Sequence, residues 1–163
     1  MVSALLSHAS KDKPFVRELA TFLDKKLDDF RNKKVFDFGF SDPSKFEIKG
    51  GNSYIKNGTQ WSRNSENMDN GSVQNFIDKM RDLSASKFVD QAGGTPLLEV
   101  TVTSNNGKRV EDVTLLKQGD QYFARRGNDT SVYQLEAKDV AGLQQALVDV
   151  KPAPKPAADA KKK

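Results

Sequence analysis

Cysteine is absent from the 163 residues, and histidine occurs once, at His8. The first absence removes disulfides, thiolate nucleophiles and Cys-ligated zinc or iron–sulfur centres. The second leaves little for a Ser-His-Asp relay, which needs an imidazole oriented by folded neighbours, whereas His8 stands in a polar N-terminal stretch. No run approaches the ~20 apolar residues of a transmembrane helix. The start, "MVSALLSHASKDK", lacks a basic region leading into an apolar segment, so no signal peptide is expected. The glycine pairs in "KGGNS" and "QAGGTP" lack the spacing of a phosphate loop and read as turns. Asp28 and Asp29 are neighbours that diverge by ~100° on a helix, so they read as a solvated face and not as a metal site. No calcium-loop spacing occurs either. No catalytic residue, cofactor site or metal site is assigned.

Excess charge is also missing from most of the chain. The formal net charge is +4, and the tail "KPAPKPAADAKKK", with five Lys and one Asp, accounts for all of it. The body up to residue 150 is neutral, with 21 basic and 21 acidic residues. A nucleic-acid-binding domain carries its basic excess on a folded face, so nucleic acid is not an expected partner. The Lys/Pro/Ala tail at 151–163 buries no core and reads as disordered. Its polybasic composition leaves contact with an anionic lipid or polymer as a second reading.

What the chain does have is periodicity. Leu19, Phe22, Leu23, Leu27 and Phe30 repeat at helical spacing, with Thr21 as the expected N-cap and Phe15-Val16 as a short strand before it. Phe36, Phe38 and Phe40 alternate with Asp37 and Gly39, which predicts a strand with three rings on one face, ended by Asp42-Pro43. Phe46 and Ile48 predict a second strand and Tyr54-Ile55 a third. Asn57-Gly58 predicts a type I′ hairpin turn, and the returning strand carries Trp61. "RNSENMDNGS" reads as a polar loop. Val73, Phe76, Ile77, Met80 and Leu83 then predict a helix, capped by Ser72 or an earlier Asp or Asn.

The second half follows a similar plan. Leu98, Val100 and Val102 alternate, Asn106-Gly107 turns the chain, and Val113 with Leu115 returns it. Strands follow at Tyr122 to Arg125 and Val132 to Leu135, then a helical stripe at Val140, Leu143 and Leu147. The predicted fold is α+β: two similar antiparallel β-meander plus helix units packed together, with the helices covering one sheet face. The expected divisions are an N-terminal strand or loop at 1–14, a first unit with its leading helix at 15–92, a second unit at 93–150, and the disordered tail at 151–163.

The aromatics admit two readings. The Phe36/Phe38/Phe40 row and Trp61 are expected in a core, since burying a Phe contributes roughly 1.5–3 kcal/mol. Trp61 is also a candidate contact for a sugar or peptide if it lies on the surface. Tyr122, Arg125 and Arg126 in "YFARR" combine aromatic and basic character and are further candidate contacts for a ligand or partner. Asn57, Asn70 and Asn128 begin N-glycosylation-like triplets, taken here as loop markers.

The order of these elements resembles a known family. Phe30 to Lys34, the strand at Val35 to Phe38, the Asp-Pro turn, the strand at Lys45 to Lys49, "GTQW", "MDNGSVQNFIDKMRDLSASKFV" and "YFARRGNDTSVYQL" are together similar to domain-of-unknown-function family 4340. The resemblance covers most of residues 15–150. It implies a bacterial, extracytoplasmic and often membrane-anchored protein, sometimes found with ABC-transport or gliding-motility components. The family has no established catalytic residues to carry over. The expectation is therefore a non-enzymatic binding or scaffold module with a protein partner. Membrane contact would come through an anchor outside these residues or through the Lys tail. A glycan- or peptide-binding domain and an anionic-polymer binder are the alternatives. Homodimerisation through exposed strand edges is left open.

Overall fold

A computed structural model describes residues 13–155. They fall into two units, one ending at residue 32 and the other beginning at residue 33. The first is built on one helix, α1 (Lys13–Phe30). Pro14 lies in its first turn, where a missing N–H costs nothing and the fixed φ suits a helix. Two expectations are corrected here. Phe15-Val16 is helical and not a strand, and Thr21 is internal and not a cap; its hydroxyl donates to the Arg17 carbonyl at 2.8 Å. The apolar period simply extends further back, through Val16 and Phe15. Of the strand or loop expected over 1–14, residues 1–12 lie outside the described residues, and the remaining two are in α1.

The second unit holds one antiparallel sheet of nine strands. They are β1 (Lys45–Ile48), β2 (Ser53–Asn57), β3 (Gln60–Arg63), β4 (Glu66–Asn67), β5 (Lys87–Val89), β6 (Thr95–Ser104), β7 (Arg109–Gln118), β8 (Gln121–Arg126) and β9 (Val132–Leu135). Helix α2 (Asn70–Asp82) follows β4, and α3 (Ala137–Val148) follows β9. The order across the sheet is β4-β3-β2-β1-β6-β7-β8-β9-β5. The sheet is continuous through the β1·β6 pair, where Phe46 faces Val102. β5 precedes β6 in the chain yet pairs with β9 at the opposite edge.

Alternation along each strand sends one set of side chains to the helices. Phe46 anchors that face. Its ring stacks on Tyr54 with centroids 4.5 Å apart and tilts against Trp61 and Phe76 at 5.3 Å. α2 buries Val73, Phe76, Ile77 and Met80, and α3 buries Val140, Leu143 and Ala146 in the same cluster. Val100, Val102, Val113, Leu115, Ala124 and Tyr133 complete it from the strands. The opposite face carries a smaller cluster of Leu116, Phe123 and Val132 under Ala92. Asp69 caps α2 by accepting the Ser72 N–H at 2.8 Å, an arrangement that satisfies one of the orphan donors of the first turn.

The hairpins turn differently from the expectation. Asn57 pairs with Gln60, so the central residues are Gly58 and Thr59, and only Gly58 has a positive φ, of 60°. That is the type II′ pattern, with Gly first, and not type I′. Asn64 (φ 49°) and Ser65 (φ 67°) instead form a two-residue turn with both φ positive. This turn makes β3·β4 out of the segment expected to be a polar loop. Asn105 and Asn106 are likewise positive, with Gly107 following.

The predicted Phe strand is not there. Phe36 and Phe38 are buried, but Phe40 is fully exposed, and residues 36–40 join no ladder. Gly39, at φ 69°, turns the chain between Phe38 and Phe40. The Asp37 N–H goes to the Glu111 carboxylate and not to a neighbouring strand. Residues 151–153, expected to be disordered, are hydrogen-bonded to the sheet unit. Pro152 bridges Met68, the Asp69 N–H reaches the Lys151 carbonyl at 2.9 Å, and Ala153 N–H reaches Asn67. Residues 151–153 thus cover the β4 edge, the kind of protection that exposed strand edges require. Residues 156–163 lie outside the described residues.

Candidate interaction surface

The four candidate contact residues do not converge. Trp61 is 1% exposed, a core residue as first expected, so its alternative reading as a surface contact is dropped. The reason is β3 register: Trp61 points to the helix side, where Phe46 fills the space against its ring. In β8, alternation splits "YFARR" between the two faces. Tyr122 and Arg126 point to the helix side, and Arg125 points away with Phe123. Tyr122 is half-buried against the main core, with the Lys117 ammonium 5.6 Å from its ring centre. Arg125 is exposed and donates to the Ala92 carbonyl.

Arg126 belongs to a buried polar cluster that sequence reasoning missed. Glu111, 2% exposed, accepts from Arg126 at 3.1 Å, from Arg109 at 3.3 Å and from the Asp37 N–H at 3.1 Å. Arg109 also donates to the Asp37 carboxylate at 2.9 Å, and that bond raises the guanidinium pKa above its usual value. The only sequence signal for the cluster is the interruption of an apolar alternation: Glu111 occupies the place before Val113 and Leu115 on the core face of β7. A buried carboxylate is tolerated only with full hydrogen bonding. Here that bonding ties residues 35–38 onto the sheet. Nearby, the Tyr133 hydroxyl donates to Asp129 at 2.7 Å, and this bond, with the Ser131 N–H, lowers the Asp129 pKa to about 2. Burial, aided by the same bond, pushes the Tyr133 hydroxyl up. Ser104 Oγ and Arg126 Nε are buried without a hydrogen-bond partner.

A second cluster pins the Phe40 loop. Asp42 accepts from Arg81 at 2.8 Å, Gln74 at 3.2 Å and Lys56 at 3.3 Å, while Arg81 Nε donates to the Gly39 carbonyl at 3.0 Å. Burial works to raise the Asp42 pKa, but the three donors together hold it below the usual value. In both clusters the charges are spent on each other. The Asn70 side chain is spent in the same way, bonding Thr59, Trp61 and Gln60. Among the described residues, no group of three or more His, Asp or Glu side chains is placed to hold a metal ion.

The apolar surface is concentrated elsewhere, on α1. Phe15 is 66% exposed, Leu19 45%, Leu23 50% and Phe30 86%, with Val16 and Phe22 also above half. Positions 15, 16, 19, 22, 23 and 30 fall on one side of a 3.6-residue helix. Scattered exposed apolar residues are ordinary, whereas these six share one face of one helix. Among the described residues, no helix is long and apolar enough to cross a membrane.

Comparison with family models, with curated proteins and with solved structures finds no match to this chain.

Proposed function

We propose that the chain is a non-catalytic binding or scaffold module of an extracytoplasmic, membrane-associated bacterial system of the transport or surface-motility kind. The observation that carries the binding role is the exposed apolar face of α1; the sheet unit, by contrast, keeps most of its large apolar side chains in two clusters. The compartment and the kind of system rest on the resemblance to domain-of-unknown-function family 4340. The burial of Trp61, Phe36 and Phe38 takes the main support from a glycan- or peptide-binding platform. We also read the sheet unit as a duplicated element. In its support, β1–β4 and β6–β9 run outward from the central β1·β6 pair, and each set is followed by a helix.

The test is protease access in the source bacterium. An epitope-tagged chromosomal copy is digested in intact cells, in cells with a permeabilised envelope, and after full lysis. Digestion before the cytoplasmic membrane is breached is expected; protection until full lysis contradicts the compartment. A hydrolase activity lost on substitution of one carboxylate defeats the non-catalytic reading.

A further inference from the structure

The exposed face of α1 runs from Phe15 to Phe30, a span of about 22 Å at the helical rise. With ~200 Å² for a Phe ring and smaller values for Leu and Val, its apolar side chains present roughly 600 Å² to solvent. That reaches the upper end of what an ordinary monomer leaves uncovered in one patch. Two such faces together bury roughly 1,200 Å², the lower bound of a standard specific interface. Most helical stability in proteins comes from packing an amphipathic face, so covering this face also stabilises α1 itself.

We infer that α1 pairs antiparallel with α1 of a second copy of this chain, about a two-fold axis passing near Phe22 and Leu23. The inference rests on the reading of the chain as a binding module and names its partner. Charge supports both the partner and the direction. Residues 13–30 carry four basic and four acidic side chains, so the helix is neutral and a second copy meets no net repulsion. The first half, with Lys13, Arg17 and Glu18, has a formal charge of +1; the second half, with Asp24, Lys25, Lys26, Asp28 and Asp29, has −1. Antiparallel pairing sets each half against its opposite and also opposes the two helix dipoles, whereas parallel pairing sets like against like. A membrane surface fits less well, because an interfacial helix carries a basic polar face and this one is neutral.

The test is the mass of the full chain by sedimentation equilibrium, from low to high micromolar. A monomer–dimer equilibrium is expected. Leu19→Asp combined with Leu23→Asp is expected to weaken it at least ~100-fold, because each change acts twice in a symmetric pair. The chain has no cysteine of its own, so single cysteines report geometry cleanly. Leu23→Cys is expected to cross-link to its copy and Phe15→Cys is not, being ~22 Å from itself in the antiparallel pair. A monomer at every concentration, a dimer indifferent to the two aspartates, or Phe15→Cys cross-linking as readily as Leu23→Cys overturns the inference. So does co-sedimentation of the monomer with phosphatidylglycerol vesicles. The outcome is separable from the compartment assay: a monomer outside the cytoplasmic membrane sinks the pairing alone, and a dimer in the cytosol sinks the compartment alone.

Discussion

Helix α2 buries Val73, Phe76, Ile77 and Met80 to 0% exposure, whereas α1 leaves Phe15, Leu19 and Leu23 between 45% and 66% exposed. The two helices share one kind of pattern, with apolar residues three and four apart. Their surroundings differ. α2 is hydrogen-bonded into the sheet unit at both ends, through the Asp69 N–H to Lys151 and the Leu83 carbonyl to Val35. Its stripe lands on Phe46, the centre of the aromatic cluster. Amphipathic spacing therefore states that a face will be covered, but not whether the cover comes from the same chain.

The sharpest break of this comparison is a matched pair of substitutions. Trp61, the one tryptophan of the chain, lies in the sheet unit and reports its unfolding. Ile77→Asp puts an unpaired charge among fully buried side chains and should cost more than ~4 kcal/mol, enough to unfold the unit. Leu23→Asp should shift the Trp61 urea transition of the monomer by no more than about 0.5 kcal/mol. Equal effects erase the distinction between the helices.

Next in size is the polar counterpart of the same contrast. Glu111→Gln leaves Arg126 buried beside a neutral amide and should cost about 3 kcal/mol in urea denaturation. Glu47→Gln, which breaks the exposed pair with Lys45 at 3.0 Å, should cost less than ~1 kcal/mol. A smaller effect concerns pH. The Asp129 pKa is lowered to about 2 by the Tyr133 hydroxyl and the Ser131 N–H, against about 3.9 in an unfolded chain. Its contribution is complete above the unfolded value and disappears as pH falls through the folded one. Acid titration of stability should therefore lose part of its slope between pH ~4 and ~2 in Asp129→Asn. An unchanged acid limb removes Asp129 from the account. Smallest is the turn at Asn64-Ser65. Ser65 holds φ 67°, a region that only Gly enters freely, and Ser65→Gly should raise the urea midpoint by the equivalent of about 0.5 kcal/mol.

The four-strand run from β6 to β9 and its following helix were legible because clean alternation, turn residues and a helical stripe all agreed there. The first half was less so. Phe36, Phe38 and Phe40 alternate as a strand would, yet Gly39 turns the chain and Glu111 claims the Asp37 N–H, a contact 74 residues away in sequence. The β4 strand was hidden because Glu66 and Asn67 are polar and exposed, so its pairing leaves no apolar signature. Nor does periodicity tell how β5 reaches the far edge beside β9, since strand order is a matter of long-range pairing. At the candidate surface, the α1 stripe was visible from Leu19 onward, but its exposure was not. A stripe destined for a core and one destined for a partner are written alike.

Amide hydrogen exchange on the full chain across a dilution series measures who covers α1. The prediction is that protection over Phe15–Leu23 falls on dilution while protection over β6 and β7 stays constant, because the helix face is covered between chains and the sheet within one. Protection of α1 that is strong and unchanged at the lowest concentration means that the chain covers its own helix, and contradicts the account.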